Sequence, residues 1–409
     1  MRIIDLFSGA GGLTFGFYYR IKNNAFVRNR KNSFVFANEF DCHAANAFSK
    51  NYPDINMLNS DITDLSNEKI TELTNNEPVD LIIGGPPCQS FSTVGQRRFD
   101  SKARLYEQYL RIIGIVQPRM FLFENVKGFL SMTEVEYKRD AEGRIMYSYE
   151  REDGSTRKRK KPVVNKTGRK IVDVVEETVS DMGNGLGYTL HISTLNSVDY
   201  GVPESRERVF IIGIRKDAGL NWEFPKKLEM DPLSVFDAIS DLPPVGEGQS
   251  VTQYIQAPQN NYQALMRGTC NNLSYHYCGT YSDKIRTVIE HVGQGQGKDD
   301  FNRLVDQGIV ADTFRLESGY SNTYGRLIQN RPCTTITNNM TVPSALRCIH
   351  YEQNRALTPR EGARIQSFPD WFQFDGEKKH VSSQIGNAVP PLLAITIAKQ
   401  IEKAFKGEI

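Results

Sequence analysis

The chain has 409 residues, 39% of them hydrophobic and 24% charged, with a formal net charge of +2. Those values describe a globular chain of roughly two to three domains and exclude a disordered composition. No stretch reaches the roughly 20 apolar residues of a membrane helix. Met1–Asp5 runs straight into a strand pattern, so neither a membrane anchor nor a signal peptide is expected. The 6 cysteines form no C-x-x-C pair, which predicts reduced thiols in a cytoplasmic protein. Cys270, His276 and Cys278 lack a fourth ligand and a ligand spacing, so no metal is expected.

In chain order, Arg2–Phe7 is the first strand candidate, with Gly9-Ala10-Gly11-Gly12 behind it. Ser33–Asn38 is the second. Val79–Ile83 and Met120–Phe123 have the length and character of buried parallel strands. Ile171, Val175, Val179 and Met182 recur at helical spacing and predict an amphipathic helix that stops near Gly183. Leu190–Leu195 and Val209–Ile214 predict two later strands. Strands alternating with helices predict a doubly wound α/β sheet. After about Arg215 the character changes. Residues 221–322 are rich in Asn, Gln, Gly and Tyr, with Gly293, Gly295 and Gly297 punctuating a loop. They predict a second, smaller, irregular domain. Residues 344–409 are helix-like again, with Leu392, Ile395, Ile397 and Ile401 on an apolar face.

Three clusters carry chemistry. Ser8-Gly9-Ala10-Gly11-Gly12 lies between a strand and a helix, where glycines let a ligand approach the backbone. Glu39, at the end of the second strand, can accept from ribose hydroxyls, and Asp61 can hold an amino group. Gly84-Gly85-Pro86-Pro87-Cys88-Gln89 follows a strand to its carboxyl end. Two prolines fix φ twice and a thiol comes next, which suits a rigidly presented nucleophile better than a buried hydrophobe. Glu124-Asn125-Val126 ends the adjacent strand, so its carboxyl reaches the same edge as Cys88.

Together with Asp5-Leu6-Phe7-Ser8 and Arg206-Glu207-Arg208, these segments resemble, in order, the cytosine-C5 DNA methyltransferase family of bacterial restriction-modification type. Arg331-Pro332 with Thr334-Thr335-Ile336 resembles its penultimate motif, and Gln384-Ile385-Gly386-Asn387-Ala388-Val389-Pro390-Pro391 its last. The resemblance implies a Rossmann-like, S-adenosylmethionine-dependent methyltransferase sheet with a smaller target-recognition domain. The implied catalytic and cofactor-binding domain is 1–215 plus 338–409, and the implied target-recognition domain is 216–337. The implied activity is methyl transfer from S-adenosylmethionine to C5 of a cytosine flipped out of a specific duplex DNA sequence. Cys88 would be the nucleophile, Glu124 the partner of the base edge, and Arg208 the contact to the base carbonyl, with Arg206 in support. Phe7, Gly9, Ala10, Gly12, Glu39, Phe40, Asp61, Ile62, Pro87, Leu105, Asn387, Ala388 and Val389 would form the cofactor site. Gln89, Ser92, Arg97, Arg98 and Lys102 would contact DNA from a closing loop. Double-stranded DNA is the implied partner, a cognate restriction endonuclease would act separately, and a monomer is expected.

The chain departs from the family in two places. Glu204 stands where glutamine is common. Residues 135–170 form a longer connection than usual. Within it, residues 151–170 hold nine basic and two acidic side chains, a net +7 that leaves −5 for the rest of the chain. Asp153-Gly154 could turn a hairpin there. Contact between this basic insertion and phosphates beyond the recognition site is expected, with a correspondingly steep salt dependence. The alternative within the family is a tRNA cytosine-C5 methyltransferase, but the Cys-Phe-Thr tripeptide typical of that branch is absent. A nucleotide-binding oxidoreductase has no use for Pro-Pro-Cys beside Glu-Asn-Val, and intact Cys88 and Glu124 speak against a silent DNA-binding module.

Overall fold

The computed structural model describes residues 1–87, 105–138, 140, 144, 146, 148–150, 156–158, 164–182 and 185–409. Seven strands form the main sheet: β1 (Arg2–Leu6), β2 (Ser33–Glu39), β3 (Met57–Asn59), β4 (Leu81–Gly84), β5 (Met120–Val126), β6 (Tyr188–Asn196) and β7 (Glu207–Arg215). Their spatial order is β6-β7-β5-β4-β1-β2-β3. β3, β2, β1, β4 and β5 pair in parallel, while β7 runs antiparallel to both β5 and β6.

Alternation along the strands sends successive side chains to opposite faces, and both faces are apolar. Ile4, Ile82, Phe121 and Phe123 pack on one side, against residues of helices α3 (Asn67–Thr74), α4 (Leu105–Val116) and α5 (Ile171–Ser180). Ile3, Ile83, Met120 and Leu122 pack on the other with residues of α1 and α12. Here α1 is Gly12–Tyr18 and α12 is Pro391–Lys406. These two helices touch closely: a Cβ on Gly16 would lie 2.2 Å from the Ala394 carbonyl. The last helix is thereby fastened beside the first strand. β1 and β4 are the neighbours where the strand order reverses, and the crevice at such a switch point is where open α/β sheets take ligands.

α2 (Cys42–Asn51) follows β2. The irregular part carries α6 (Val235–Ile239), α7 (Asn261–Arg267), α8 (Asp283–His291) and α9 (Lys298–Asp306), and α10 (Pro359–Ile365) and α11 (Lys378–Asn387) follow it. One apolar cluster joins Phe15 and Phe48 to Val235, Leu265, Ile336, Met340, Phe368, Ile385 and Ile395. α8 and α9 share a smaller cluster of Val288, Val292, Phe301 and Val305. α11 and α12 together form the one helical run among the described residues long and apolar enough to cross a bilayer. It is interrupted before Pro391, and its apolar residues lie inside the protein.

Two elements lie outside the sequence expectations or refine them. A hairpin, Tyr19–Lys22 against Ala25–Arg28, precedes β2. Its turn residues Asn23 and Asn24 have φ of 51° and 53°, the geometry of a tight hairpin turn that Asn tolerates. Within the basic insertion, Ser148–Glu150 pairs antiparallel with Thr156–Lys158, on either side of the Asp153-Gly154 turn signal, which itself lies outside the described residues. A second antiparallel pairing, Thr133–Tyr137 with Val164–Lys170, forms a two-stranded ribbon of its own at the base of the insertion.

Candidate active site at the carboxyl edge of the sheet

The crevice is built from the chain segments leaving β1, β2, β4 and β5. Phe7 leaves β1 with φ 57°, followed by Gly9 and Gly11 at φ 56° and 92°. Ser8 is pinned to Asn38 by its backbone N–H and its hydroxyl, both donating to the Asn38 carbonyl at 3.1 and 3.2 Å. Gly11 could carry no side chain, since a Cβ there would meet the Tyr52 ring at 2.2 Å. The Cβ position of Gly9, in contrast, opens onto free space.

Glu39 ends β2. Its carboxylate accepts from Gly9 N and Asp41 N, each at 2.8 Å. Burial pushes its pKa up, against those main-chain donors that favour the charged form. Phe40, next in the chain, is 71% exposed, a large ring left uncovered at the mouth of the crevice. Asn59 donates to the carbonyls of Glu39 and Phe40 and holds them in place. Asp61 accepts from Thr63 N at 2.9 Å. The turn it begins is held by Arg111 of α4, which donates to Ile62 O and Leu65 O. Ile62 and Ala10 turn their side chains into the core, as does Val389. Gly12 lies so close to the C-terminal segment that a Cβ would meet Val389 O at 2.5 Å and Ala388 Cβ at 3.0 Å. Asn387 is exposed at the end of α11, donating to Ser383 Oγ at 3.1 Å.

On the other flank, β4 ends in Gly84, whose neighbours leave no room for a Cβ: Leu6 O would lie at 2.4 Å. Pro86 is buried and Pro87 half-buried. Cys88, Gln89, Ser92, Arg97, Arg98 and Lys102 lie outside the described residues. Leu105, half-buried, opens α4. The Asn125 side chain, 2% exposed, donates to Pro86 O at 3.2 Å and accepts from Val126 N at 2.9 Å. It therefore fixes the carbonyl two residues before Cys88. Glu124 reaches Gly85, whose Cβ position lies 2.8 Å from Glu124 Oε2. Arg208 Nε pairs with Glu124 Oε1 at 3.2 Å, both side chains about one-seventh exposed. Burial raises the Glu124 pKa, opposed by Arg208 and then Arg206. A carboxyl so placed can retain a proton to share with a ligand.

Arg206 does not reach the crevice with Arg208. It is 1% exposed and donates to Ile336 O and Gly386 O at 2.9 and 2.8 Å. The structure thus brings Glu124 and Arg208 together at one edge and turns Arg206 inward. Asn125 stands inside the Glu124-Asn125-Val126 motif, which gave it no role of its own, and two further supporting residues lay outside every motif: Arg111 and Asn38, whose amide donates to Leu58 O and Ser60 O.

A doubly wound sheet whose seventh strand enters antiparallel, with an acid and glycines at the switch point, defines a Rossmann-like methyltransferase. The chain belongs to the C-5 cytosine-specific DNA methylase family, whose sequence model matches residues 1–141 and 161–403. The unmatched interval falls within the basic insertion. The chain is similar to Type II methyltransferase M.DdeI of Desulfomicrobium norvegicum, with 33% identity covering 100% of this chain and 90% of that protein. It is likewise similar to Type II methyltransferase M1.HphI of Haemophilus parahaemolyticus, with 30% identity covering 99% and 87%. The crystal structure of a DNA modification methyltransferase encoded within an E. coli prophage superposes with a TM-score of 0.70 at 26% identity, over 99% of both chains.

Proposed function

We propose that this DNA cytosine-C5 methyltransferase uses Cys88 as nucleophile and Glu124 with Arg208 as the clamp on a cytosine turned out of duplex DNA. The observation that supports this most is the Glu124–Arg208 pair at 3.2 Å, beside the Gly84–Pro87 segment that leads into Cys88. Cytosine C5 is a weak nucleophile until a thiolate adds at C6. The addition forms a sulfur–carbon bond and pushes negative charge towards N3 and the carbonyl oxygen. Glu124, its proton held more firmly by burial, donates at N3, and Arg208 neutralises charge at the oxygen. Once C5 has taken the methyl group, a base accepts the C5 proton, N3 returns its proton to Glu124, and the Cys88 thiolate departs with the electron pair of the sulfur–carbon bond, which restores the aromatic ring.

S-adenosylmethionine, when bound, supplies an electrophilic methyl group. The residues present suit it: Phe40 offers an uncovered ring, the space at Gly9 is open, and Glu39 carries acceptor oxygens for ribose hydroxyls. Phe7, Ala10, Gly12, Asp61, Ile62, Pro87, Leu105, Asn387, Ala388 and Val389 complete the site in this reading, several through main-chain atoms.

Gln89, Ser92, Arg97, Arg98 and Lys102 would meet DNA, and residues 216–337 would read the sequence. The basic insertion would add phosphate contacts outside the target. The methylation would protect bacterial cytoplasmic DNA against a separate cognate endonuclease, with the enzyme working as a monomer. Incubating the enzyme with labelled S-adenosylmethionine and either duplex DNA or tRNA tests the reading. Label in duplex cytosine is expected, with a covalent adduct on DNA carrying 5-fluorocytosine at the target. Cys88→Ala is expected to abolish both while retaining cofactor binding. Label confined to tRNA, or near-parental turnover by Cys88→Ala, would overturn it.

A further inference from the structure

Behind the clamp lies a second carboxylate–arginine pair. Glu204, Arg206 and Arg208 alternate along one extended stretch, and such spacing directs side chains to a common side. Arg208 meets Glu124 at 3.2 Å, and Arg206 approaches Glu204 at 3.7 Å. Glu204 is fully buried, at 0% exposure, and its Oε1 accepts from Ile336 N at 2.6 Å. Arg206 donates to the carbonyl of the same Ile336 and to Gly386 O. Both main-chain polar atoms of Ile336 are thus satisfied by this one pair. The 204–205 segment also pairs in parallel with 333–334.

The grip extends in two directions. Arg206 is two residues from Arg208, so a shift of its backbone is a shift of the clamp. Gly386 leads directly into Ala388 and Val389, which abut Gly12 of the cofactor loop. Gly386 has no slack of its own, because a Cβ there would lie 2.3 Å from Asn338 N. Removing the Glu204 acceptor leaves the Ile336 N–H and the Arg206 guanidinium buried without their carboxylate. Such groups move or rehydrate to recover partners.

We propose that Glu204 is a positioning residue for methyl transfer. Its acceptor oxygen holds Ile336 and Arg206 in register, and through Arg206 it seats Arg208 against Glu124 and the 386–389 segment against the cofactor loop. It touches no reacting atom. A glutamine would offer the same acceptor oxygen with the same reach. The inference rests on the reading of Glu124 and Arg208 given above.

The test compares Glu204→Gln and Glu204→Ala in the full chain. Rate constants are normalised to active sites titrated with 5-fluorocytosine DNA, so that misfolded protein does not count. Misplacing a clamp by about 1 Å can cost about 100-fold in rate. Glu204→Ala is therefore expected to lower kcat by roughly 10- to 100-fold, with KM for duplex DNA changed by less than about threefold. Glu204→Gln is expected within about threefold of the parent. Should the alanine variant not fold, Glu204→Met fills the volume without the acceptor and carries the same expectation. A parental kcat per titrated site in the alanine or methionine variant overturns the proposal, as does a glutamine variant as slow as alanine. Absence of methyl transfer to duplex DNA by the parent would instead strike the functional reading itself.

Discussion

Arg208 at the crevice and Arg364 in α10 are both paired with acids, yet they serve different ends. Arg364 is 0% exposed. It binds Asp370 with Nε and Nη2 at 2.7 Å, Asp241 with Nη1 at 2.7 Å and with Nη2 at 3.3 Å, and the Ala238 carbonyl at 3.1 Å. Asp241 takes Arg267 as well, and Asp370 takes the Tyr254 hydroxyl. The charge is enclosed and its donors are engaged. Among the described residues, Arg208 has its Nε on Glu124 and one Nη1 bond to Glu207 O, with both partners of the ion pair reachable by solvent. A guanidinium has five N–H donors. Where main chain and carboxylates engage most of them in the interior, it fixes architecture. Where donors remain at a cleft, it can receive a ligand.

The sharpest attack on this comparison is Arg364→Met. Breaking one partner of a buried network leaves Asp241 and Asp370 short of charge, a loss of about 3–5 kcal/mol. Urea unfolding should register it, while kcat per titrated site stays near the parent; unchanged stability would remove the architectural role. Glu124→Gln should behave in the opposite way. Loss of a proton donor aimed at developing charge costs about 100- to 1,000-fold in kcat, with the thermal midpoint little moved. Near-parental turnover would take Glu124 out of the chemistry.

Asn125→Ala lies between the two. It removes the buried donor to Pro86 O, worth about 1–3 kcal/mol when left unmet. About a tenfold lower kcat is expected, with S-adenosylmethionine affinity preserved in a binding titration. If only cofactor affinity fell, its role would belong to the other flank of the crevice.

The smallest effect concerns an ion pair nearer solvent. Asp375 meets Lys50 and His43, and their hydrogen bonds lower its pKa from 3.8 to about 2. A depressed carboxyl stabilises the fold above its unfolded pKa and ceases to do so as pH falls through the folded one. Asp375→Asn should therefore cost under about 1 kcal/mol near neutrality. The difference from the parent should shrink between about pH 4 and pH 2 and also at high salt. A gap that persisted at pH 2 would mean that the side chain acts by shape rather than by charge.

Legibility followed the range of the interactions. β1, β2, β4 and β5 were readable because a buried parallel strand is a short apolar run, and the residue that ends it is carried to the ligand edge. Gly9, Glu39 and Glu124 needed no knowledge of distant partners, whereas Phe7 entered only through the family resemblance. The Tyr19–Arg28 hairpin escaped because each of its strands is only four residues long, too short for the alternation of Tyr19-Arg20-Ile21-Lys22 to stand out beside the Asn23-Asn24 turn signal. The orientation of Arg206 could not be read from Arg-x-Arg. Alternation offers both arginines to one side, and only the carbonyls of Ile336 and Gly386, 130 and 180 residues away, draw one of them inward.

The amino-acid sequence by itself determined which residues stand at the mouths of the strands, because that depends on contacts within one turn or one strand. The tertiary structure alone decided which of the charged groups are closed off and which remain available. A buried guanidinium or carboxyl is settled by whichever main-chain and side-chain partners the packing supplies. Those partners come from segments such as 336, 386 and 241, which no local pattern connects.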